Sequence, residues 1–402
     1  MGKLQMIDLF AGAGGLSEGL KEAGFRSLYA NEVMKRYSET YALNHPNSWI
    51  QQQDIRTVCA RTVRETLGLK PGELDLVAGG PPCQGFSINA PKRCSEDERN
   101  HLFKEFLRFV DEFLPRAVLI ENVPGLVSFE GGTTLQAILS ALQEHGYNAD
   151  VRILYAPHYG VPQTRWRTVV IGLRDGLEPG SVFPEPMRDA PIRVNFTSSF
   201  EGRNIVALPQ SVQLPRHTSV RDAIDDLPEL KNGEIGLSEK TYRTSPQNDF
   251  QIAMRAGSEA VKNHEAARLS QINMQRLSHI PAGGNWTDIP YELLPKGMQR
   301  ARRSDHTKRY GRVDPDGLAS TILTKCDPHW GAYFHYSQDR IFTVREAARI
   351  QTFPDTYVFA GSRVEQYEQV GNAVPPLLAA AIGRSLARIL GEGSFELTRT
   401  IA

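Results

Sequence analysis

Cysteine is scarce in this chain: four in 402 residues, at positions 59, 83, 94 and 326, with no CxxC pair. That spacing supplies neither a zinc site nor a disulfide framework, no metal is called for, and a reducing cytoplasm is the expected setting. Net charge is also missing, since 46 basic side chains balance 46 acidic ones. Any contact with nucleic acid must therefore come from a local patch. No uninterrupted apolar run approaches about 18 residues, so no membrane-spanning helix is expected. The start, MGKLQMIDLF, passes straight into a strand pattern without a signal-peptide core or the Ser/Thr of a myristoylation signal. Internal repeats and low-complexity tracts are absent as well. What is there, 40% hydrophobic residues at a mean hydropathy of −0.37, fits a globular chain long enough for two domains.

One run stands out against this background: GGPPCQGFS, Gly79 to Ser87. The apolar stretch LDLVAG (Leu74–Gly79) leads into it. Two prolines remove two backbone donors and fix two φ angles, so the chain must leave the strand there. Cys83 is thereby held on a stiff loop at the carboxyl end of a strand, the end where open α/β sheets bind ligands. A free cysteine is more often a buried core residue, but a core residue has no need of such a loop.

Over the first 175 residues, strand-like and helix-like runs alternate. Strands are expected at Leu4–Phe10, Ser27–Glu32, Leu74–Gly79, Ala117–Val123, Asp150–Ala156 and Arg167–Leu173, with a further one ending near Asp54. Helices are expected at Leu16–Gly24, up to about Asn44, at His101–Leu114 and at Thr133–Gly146. This implies an α/β fold with a mostly parallel sheet and helices on both faces. The last two strands lack a helix between them and predict an antiparallel edge. From about Gly176 prolines, glycines and polar residues take over. A basic run, Lys296–Arg312, carries seven Lys/Arg against one Asp; such a run is often just a solvated face. Regularity returns near Thr343 with TVREAARIQTFP, ended by Pro354. A last helix, PPLLAAAIGRSLARILG, is expected to stop at Gly391.

Several strand ends carry chemistry. DLFAGAGGLSEGL (Asp8–Leu20) is a glycine-rich turn into a helix, where backbone can approach a ligand. It is neither a dinucleotide fingerprint, because Ser17 stands where the third glycine belongs, nor a phosphate-cradling loop. Glu32 follows about 20 residues on, where a carboxylate can hold ribose hydroxyls. Asp54 could accept from an adenine amino group. Glu121 ends the strand AVLI, which could be a sheet neighbour of the strand leading to Cys83. Arg165 and Arg167, two residues apart, are expected on one face of a strand start, suited to anionic oxygens.

In their order these motifs resemble the DNA (cytosine-5)-methyltransferases of prokaryotic restriction-modification type. DLFAGAGGLSEGL is similar to the family's cofactor loop, NEV and DI to its ribose and adenine motifs, GGPPCQGFS to its nucleophile motif and ENV (Glu121–Val123) to its carboxylate motif. QTRWR (Gln163–Arg167) fits the paired-arginine motif. DRIFTVREAARIQTFPD (Asp339–Asp355) and QVGNAVPPLLA (Gln369–Ala379) resemble the two that close the set. The motifs cover roughly half the chain.

The resemblance implies a Rossmann-like S-adenosylmethionine-dependent methyltransferase sheet with a smaller target-recognition domain. The expected division is a catalytic and cofactor-binding domain over 1–175, target recognition over 176–338, and 339–402 returning to the catalytic domain. It implies S-adenosylmethionine as cofactor, held by Phe10, Ala11, Gly12, Gly14, Leu16, Glu32, Val33, Asp54, Ile55, Pro82, Leu102, Asn372 and Ala373. It implies double-stranded DNA as partner, with Gln84 and Ser87 on a loop edge that could close over it. Arg300, Arg302, Arg303, Lys308 and Arg309 of the basic run are the expected phosphate contacts. In the implied reaction Cys83 adds to carbon 6 of a flipped cytosine, Glu121 acts as an acid at ring nitrogen 3, and Arg165 and Arg167 hold the nucleotide. A monomer without membrane association, acting in the cytoplasm as a stand-alone enzyme beside a cognate restriction endonuclease, completes the expectation. Methylation of tRNA cytosine on the same fold and a non-catalytic DNA-binding relative are the alternatives. A nicotinamide dehydrogenase fails on the missing third glycine and leaves Cys83 unexplained.

Overall fold

The short Val/Ile/Leu runs become strands because both of their faces are covered, which is how parallel sheets are built. The computed structural model describes residues 3–82, 102–210, 213–235, 239–305 and 308–399. Within them lie β1 (Leu4–Leu9), β2 (Phe25–Asn31), β3 (Trp49–Gln51), β4 (Leu76–Gly79), β5 (Ala117–Asn122), β6 (Asn148–Tyr155) and β7 (Trp166–Leu173). They form one seven-stranded sheet in the order β3-β2-β1-β4-β5-β7-β6. The pairings from β3 to β5 are parallel, while β7 runs antiparallel to both β5 and β6. The expected antiparallel edge is present, with β7 inserted between β5 and β6.

The helices between the strands are α1 (Gly15–Glu22), α2 (Lys35–Asn44), α3 (Ala60–Thr66), α4 (Leu102–Phe113) and α5 (Thr133–Glu144). In α4, Phe106, Phe109, Val110 and Phe113 recur at helical spacing and lie in the same buried cluster as Val77, Val118 and Ile120 of the sheet. Leu135, Ile138 and Leu142 of α5 extend that cluster.

The chain divides into two compact units: residues 1–159, 166–215 and 374–402, and residues 160–165 and 216–373. The division drawn on sequence at 176 and 339 differs from this, for two reasons. Beyond 176, a small hairpin of β8 (Ser199–Phe200) and β9 (Arg203–Asn204) leads into Ile205 and Val206, which join the core of the first unit. The Ile153 amide donates to the Ile205 carbonyl at 2.7 Å, and the Ala207 amide returns to the Ile153 carbonyl at 3.0 Å, extending the β6 edge.

Residues 339–373 fall in the second unit because their buried charges pair there. That unit has little regular structure: α6 (Val220–Ile224), β10 (Glu239–Lys240), α7 (Asp249–Arg255), β11 (Val261–Lys262), α8 (Gln271–Leu277), β12 (Gly311–Arg312), β13 (Ala332–Phe334), α9 (Val344–Ile350) and α10 (Arg363–Asn372). On α9, Arg349 donates to Asp355 at 2.6 and 2.7 Å and reaches Asp226 at 3.2 Å. Glu346 receives Arg340 at 2.6 and 2.7 Å. Burial would raise the Glu346 carboxyl, but the Arg340 charge and hydrogen bonds outweigh it and hold the group well below the usual carboxylate range.

The last helix, α11 (Pro376–Arg399), runs past Gly391, where sequence predicted its end. Gly391 takes no left-handed conformation, and glycine in a helix interior costs only about 1 kcal/mol. The run Arg363–Gly391 also contains an 18-residue window, not an uninterrupted apolar run, that is apolar enough to cross a membrane by length and composition; 67% of it is buried inside the protein, as in a core helix. Part of that burial is the contact with α1. A Cβ on Gly19 would lie 2.2 Å from the Pro376 carbonyl oxygen, so the two backbones meet because no side chain stands between them.

Candidate active site

The glycine-rich turn follows β1 directly. Phe10, Gly12 and Gly14 all have positive φ, at 57°, 58° and 91°. For Phe10 this is a strained conformation, of the kind that persists where the surroundings over-determine it. The turn is tied down from β2: the Ala11 amide donates to the Asn31 carbonyl at 3.0 Å, and the Gly12 amide to Glu32 Oε2 at 2.9 Å. Glu32 Oε1 accepts from the Met34 amide at 2.8 Å. Burial raises the Glu32 carboxyl, and the Met34 and Gly12 amides act against that rise. Next to this carboxylate Val33 and Met34 stand 56% and 55% exposed, an apolar surface open to solvent. Gly14 caps α1 without a side-chain hydrogen bond, which leaves amides of the first turn for a ligand. Ala11 and Leu16 are buried behind the turn.

Beneath it, Asp8 is fully buried and accepts from Ser17 Oγ at 2.6 Å; Ser17 meets the Tyr41 hydroxyl at 2.9 Å, which in turn meets Ser27. Burial pushes the Asp8 carboxyl up to about 7, with Ser17 opposing and the charge of Glu32 adding. Between its unfolded value of 3.8 and about 7, the folded protein holds a proton that the unfolded chain has released. The contribution of Asp8 to stability therefore declines as pH rises through that window. Asp8→Asn is expected to flatten the fall of the thermal midpoint from pH 4 to 7, checked by calorimetry across that range; an unchanged slope would remove Asp8 as its source.

Asp54 does not end a strand. Since β3 stops at Gln51, Asp54 instead caps the short turn Ile55–Thr57, accepting from the Arg56 amide at 3.0 Å and the Arg56 guanidinium at 2.6 Å. That bond to Arg56 holds its carboxyl below the usual range. Ile55 is buried, and Arg108 of α4 donates to the carbonyls of Ile55 and Val58, both at 2.8 Å. Arg108 was not picked out from sequence, because nothing local distinguishes a helix arginine that reaches back fifty residues.

At the centre of the sheet, β4 and β5 are direct parallel neighbours, with Gly79 opposite Ile120. Their carboxyl ends therefore lie side by side, which brings Glu121 next to the segment Gly80-Pro81-Pro82. A Cβ on Gly80 would sit 3.2 Å from Glu121 Oε2, so this oxygen faces that segment. The other oxygen, Oε1, is 2.5 Å from Arg167 Nε at the start of β7. Burial lowers the Arg167 guanidinium, and the charge of Glu121 opposes it. Asn122 donates through Nδ2 to the Pro81 carbonyl at 3.0 Å, and its Oδ1 accepts from the Val123 amide at 2.9 Å. ENV thus sets two side chains against the Gly80-Pro81-Pro82 segment, of which the sequence singles out only the first. Pro82 is half-buried, and Leu102, the first residue of α4, packs on the core. Cys83, Gln84 and Ser87 lie outside the described residues.

Arg165 and Arg167 do not both belong to the strand. The strand begins at Trp166, and Arg165 falls in the second unit, 2% exposed. Its guanidinium donates to the carbonyls of Ile322 at 3.1 Å, Gly371 at 2.8 Å and Ala373 at 3.0 Å. It organises backbone there instead of pairing with Arg167. Gln163 and Gln351 join it: Gln163 reaches the Ile350 carbonyl at 2.9 Å, and Gln351 those of Val370 and Ala373 at 2.9 and 2.7 Å. Ala373 is held within this knot, while Asn372 is exposed at the end of α10. In the basic run, Arg300, Arg302, Arg303 and Lys308 are exposed and Arg309 is half-buried. The described part of the run is irregular or turns up to β12, anchored by Met298 in a cluster with Leu277, Trp286 and Tyr310.

Comparison with known proteins bears on this geometry. The model of the C-5 cytosine-specific DNA methylases matches residues 4–388. Type II methyltransferase M.AgeI of Thalassovita gelatinovora is 35% identical, over 95% of this chain and 99% of its own length. M.DdeI of Desulfomicrobium norvegicum is likewise 35% identical, over 96% and 88%. Among solved structures, a prophage-encoded E. coli protein superposes with a TM-score of 0.72 at 25% identity, covering 96% of this chain and 99% of that one. Spodoptera frugiperda DNMT2 shares the fold, with a TM-score of 0.57 at 16% identity. The chain belongs to the C-5 cytosine-specific DNA methylase family. Its reaction is methylation of carbon 5 of cytosine in DNA, on the Rossmann-like α/β sheet expected, and S-adenosylmethionine is the cofactor this family implies. Neither tRNA methylation nor a non-catalytic role is favoured.

Proposed function

We propose that the chain is the modification enzyme of a restriction-modification system, a monomer in the cytoplasm that methylates one duplex sequence beside a cognate endonuclease. Its similarity to Type II methyltransferases across nearly their full lengths supports this reading.

The residues around the glycine turn suit S-adenosylmethionine. The uncapped start of α1 suits a carboxylate, Glu32 suits ribose hydroxyls, and exposed Val33 and Met34 offer a surface for an adenine ring. Phe10, Ala11, Gly12, Gly14 and Leu16 would shape this pocket, with Asp54, Ile55, Pro82 and Leu102 at its margin and Asn372 and Ala373 as further contacts. When bound, the cofactor supplies an electrophilic methyl group on a sulfonium sulfur.

The observation that carries the mechanism is the Glu121 carboxyl, with Arg167 on one oxygen and the Gly80-Pro81-Pro82 segment before the other. Cys83, its proton given up to solvent, adds as the thiolate to carbon 6 of the flipped cytosine, while Glu121 in its protonated form gives a proton or hydrogen bond to ring nitrogen 3 and takes it back when the thiolate leaves. Carbon 5 then becomes nucleophilic. Once it carries the methyl group, a base removes its proton and the thiolate leaves. Arg167 positions Glu121, and Asn122 fixes the carbonyl two residues before Cys83. Arg165 acts through the backbone it holds.

The second unit carries recognition, with Arg300, Arg302, Arg303, Lys308 and Arg309 on DNA phosphates and Gln84 and Ser87 meeting DNA from the cysteine loop. Replacing Lys308 and Arg309 with alanine is expected to weaken duplex binding and to reduce the salt slope of log K by about 2, near 0.9 per phosphate contact. Titration at several salt concentrations measures this. An unchanged slope would make the run a solvated face. Bisulfite sequencing of plasmid DNA after expression identifies the target site.

A further inference from the structure

Within the second unit, an exposed aromatic ring stands beside the basic run for no structural reason. Trp330 is 62% exposed, although a large aromatic side chain is among those folding most gains by burying. Its backbone is fixed. The Trp330 amide donates to the Asp327 carbonyl at 2.9 Å, and the His329 amide and Nδ1 close on Asp327 Oδ1 at 2.9 and 2.7 Å. The turn then enters β13, which pairs with β12. Arg309, two residues before β12, lies with its guanidinium carbon 5.4 Å from the Trp330 ring centroid. Beneath them Tyr310 is fully buried, 5.0 Å from the His329 ring and in the same cluster as Trp286 and Phe334. The pair thus rests on a rigid floor, and Lys308 and Lys325 are exposed nearby in sequence.

A ring held in water beside a guanidinium suits a partner with flat π-faces and negative charge. The substrate of this enzyme has both. We propose that Trp330 and Arg309 form an aromatic-basic contact with the target duplex, Trp330 stacking on a base or sugar and Arg309 on the adjoining phosphate. The proposal deepens the recognition role given above to the second unit and rests on that reading.

The test uses the full chain and a plasmid-derived duplex fragment that the enzyme methylates. Trp330→Ala is expected to weaken binding by about tenfold or more, the scale of a lost base–aromatic stack, with an unchanged thermal midpoint. Trp330→Phe should restore most of the affinity. In a Trp49→Phe background, the duplex should shield the remaining exposed tryptophan fluorescence from acrylamide. Wild-type affinity in Trp330→Ala, or quenching that the duplex does not change, would overturn the proposal. The wider recognition reading fails separately, through an unchanged salt slope when Arg300, Arg302 and Arg303 are replaced with alanine.

Discussion

Cys83→Ser is expected to transfer no measurable methyl group while binding S-adenosylmethionine nearly as well as the parent enzyme. The argument is one of ionisation. A thiol with a pKa near 8.5 is brought to the thiolate by a favourable loop, whereas a serine hydroxyl needs an adjacent general base. Oxygen would stand where sulfur stood without becoming a nucleophile toward carbon 6. Because the glycine-rich turn follows β1, its hydrogen bonds to Asn31 and Glu32 are untouched by a change after β4. Labelled-methyl transfer to DNA and calorimetric cofactor binding separate the two effects. Full activity in this variant would sink the covalent mechanism.

Glu121→Gln should slow methylation by about 10²-fold or more, the usual scale for a lost general acid. Glutamine keeps the shape and can still accept from Arg167 Nε, but it has no acidic proton for ring nitrogen 3. The substitution also removes the counter-charge of a buried guanidinium. Some loss of thermal stability should accompany the loss of rate, since an unpaired buried charge is costly. Single-turnover rates at saturating DNA isolate the chemical step. A change under twofold would remove Glu121 from the role of acid.

Much of this was legible in the sequence, for identifiable reasons. Apolar runs ending in glycine, proline or acid mark the strand ends, whereas the pairing of β4 with β5, open in sequence, is seen only in the structure. Glu32 and Glu121 stand out in sequence because strand-end carboxylates are conspicuous, and the structure sets Glu32 on the glycine turn and Glu121 beside Gly80. Arg165 was misplaced because its i, i+2 spacing with Arg167 looks like one strand face; the strand starts one residue later, and its carbonyl partners lie more than 150 residues away. Asn122 was in plain view within ENV, but its role needed the Pro81 carbonyl in space. The unit boundaries escaped because residues 199–206 join the first core through only three apolar side chains, too few for a pattern.

The covalent step can be tested directly with a duplex carrying 5-fluorocytosine at the mapped target base. Fluorine at carbon 5 cannot leave as the proton does, so after methyl transfer the enzyme should stay bound. A denaturation-resistant protein–DNA adduct is expected that requires S-adenosylmethionine and maps to the peptide containing Cys83. The absence of an adduct, with ordinary duplex still methylated by the same preparation, would contradict the covalent step.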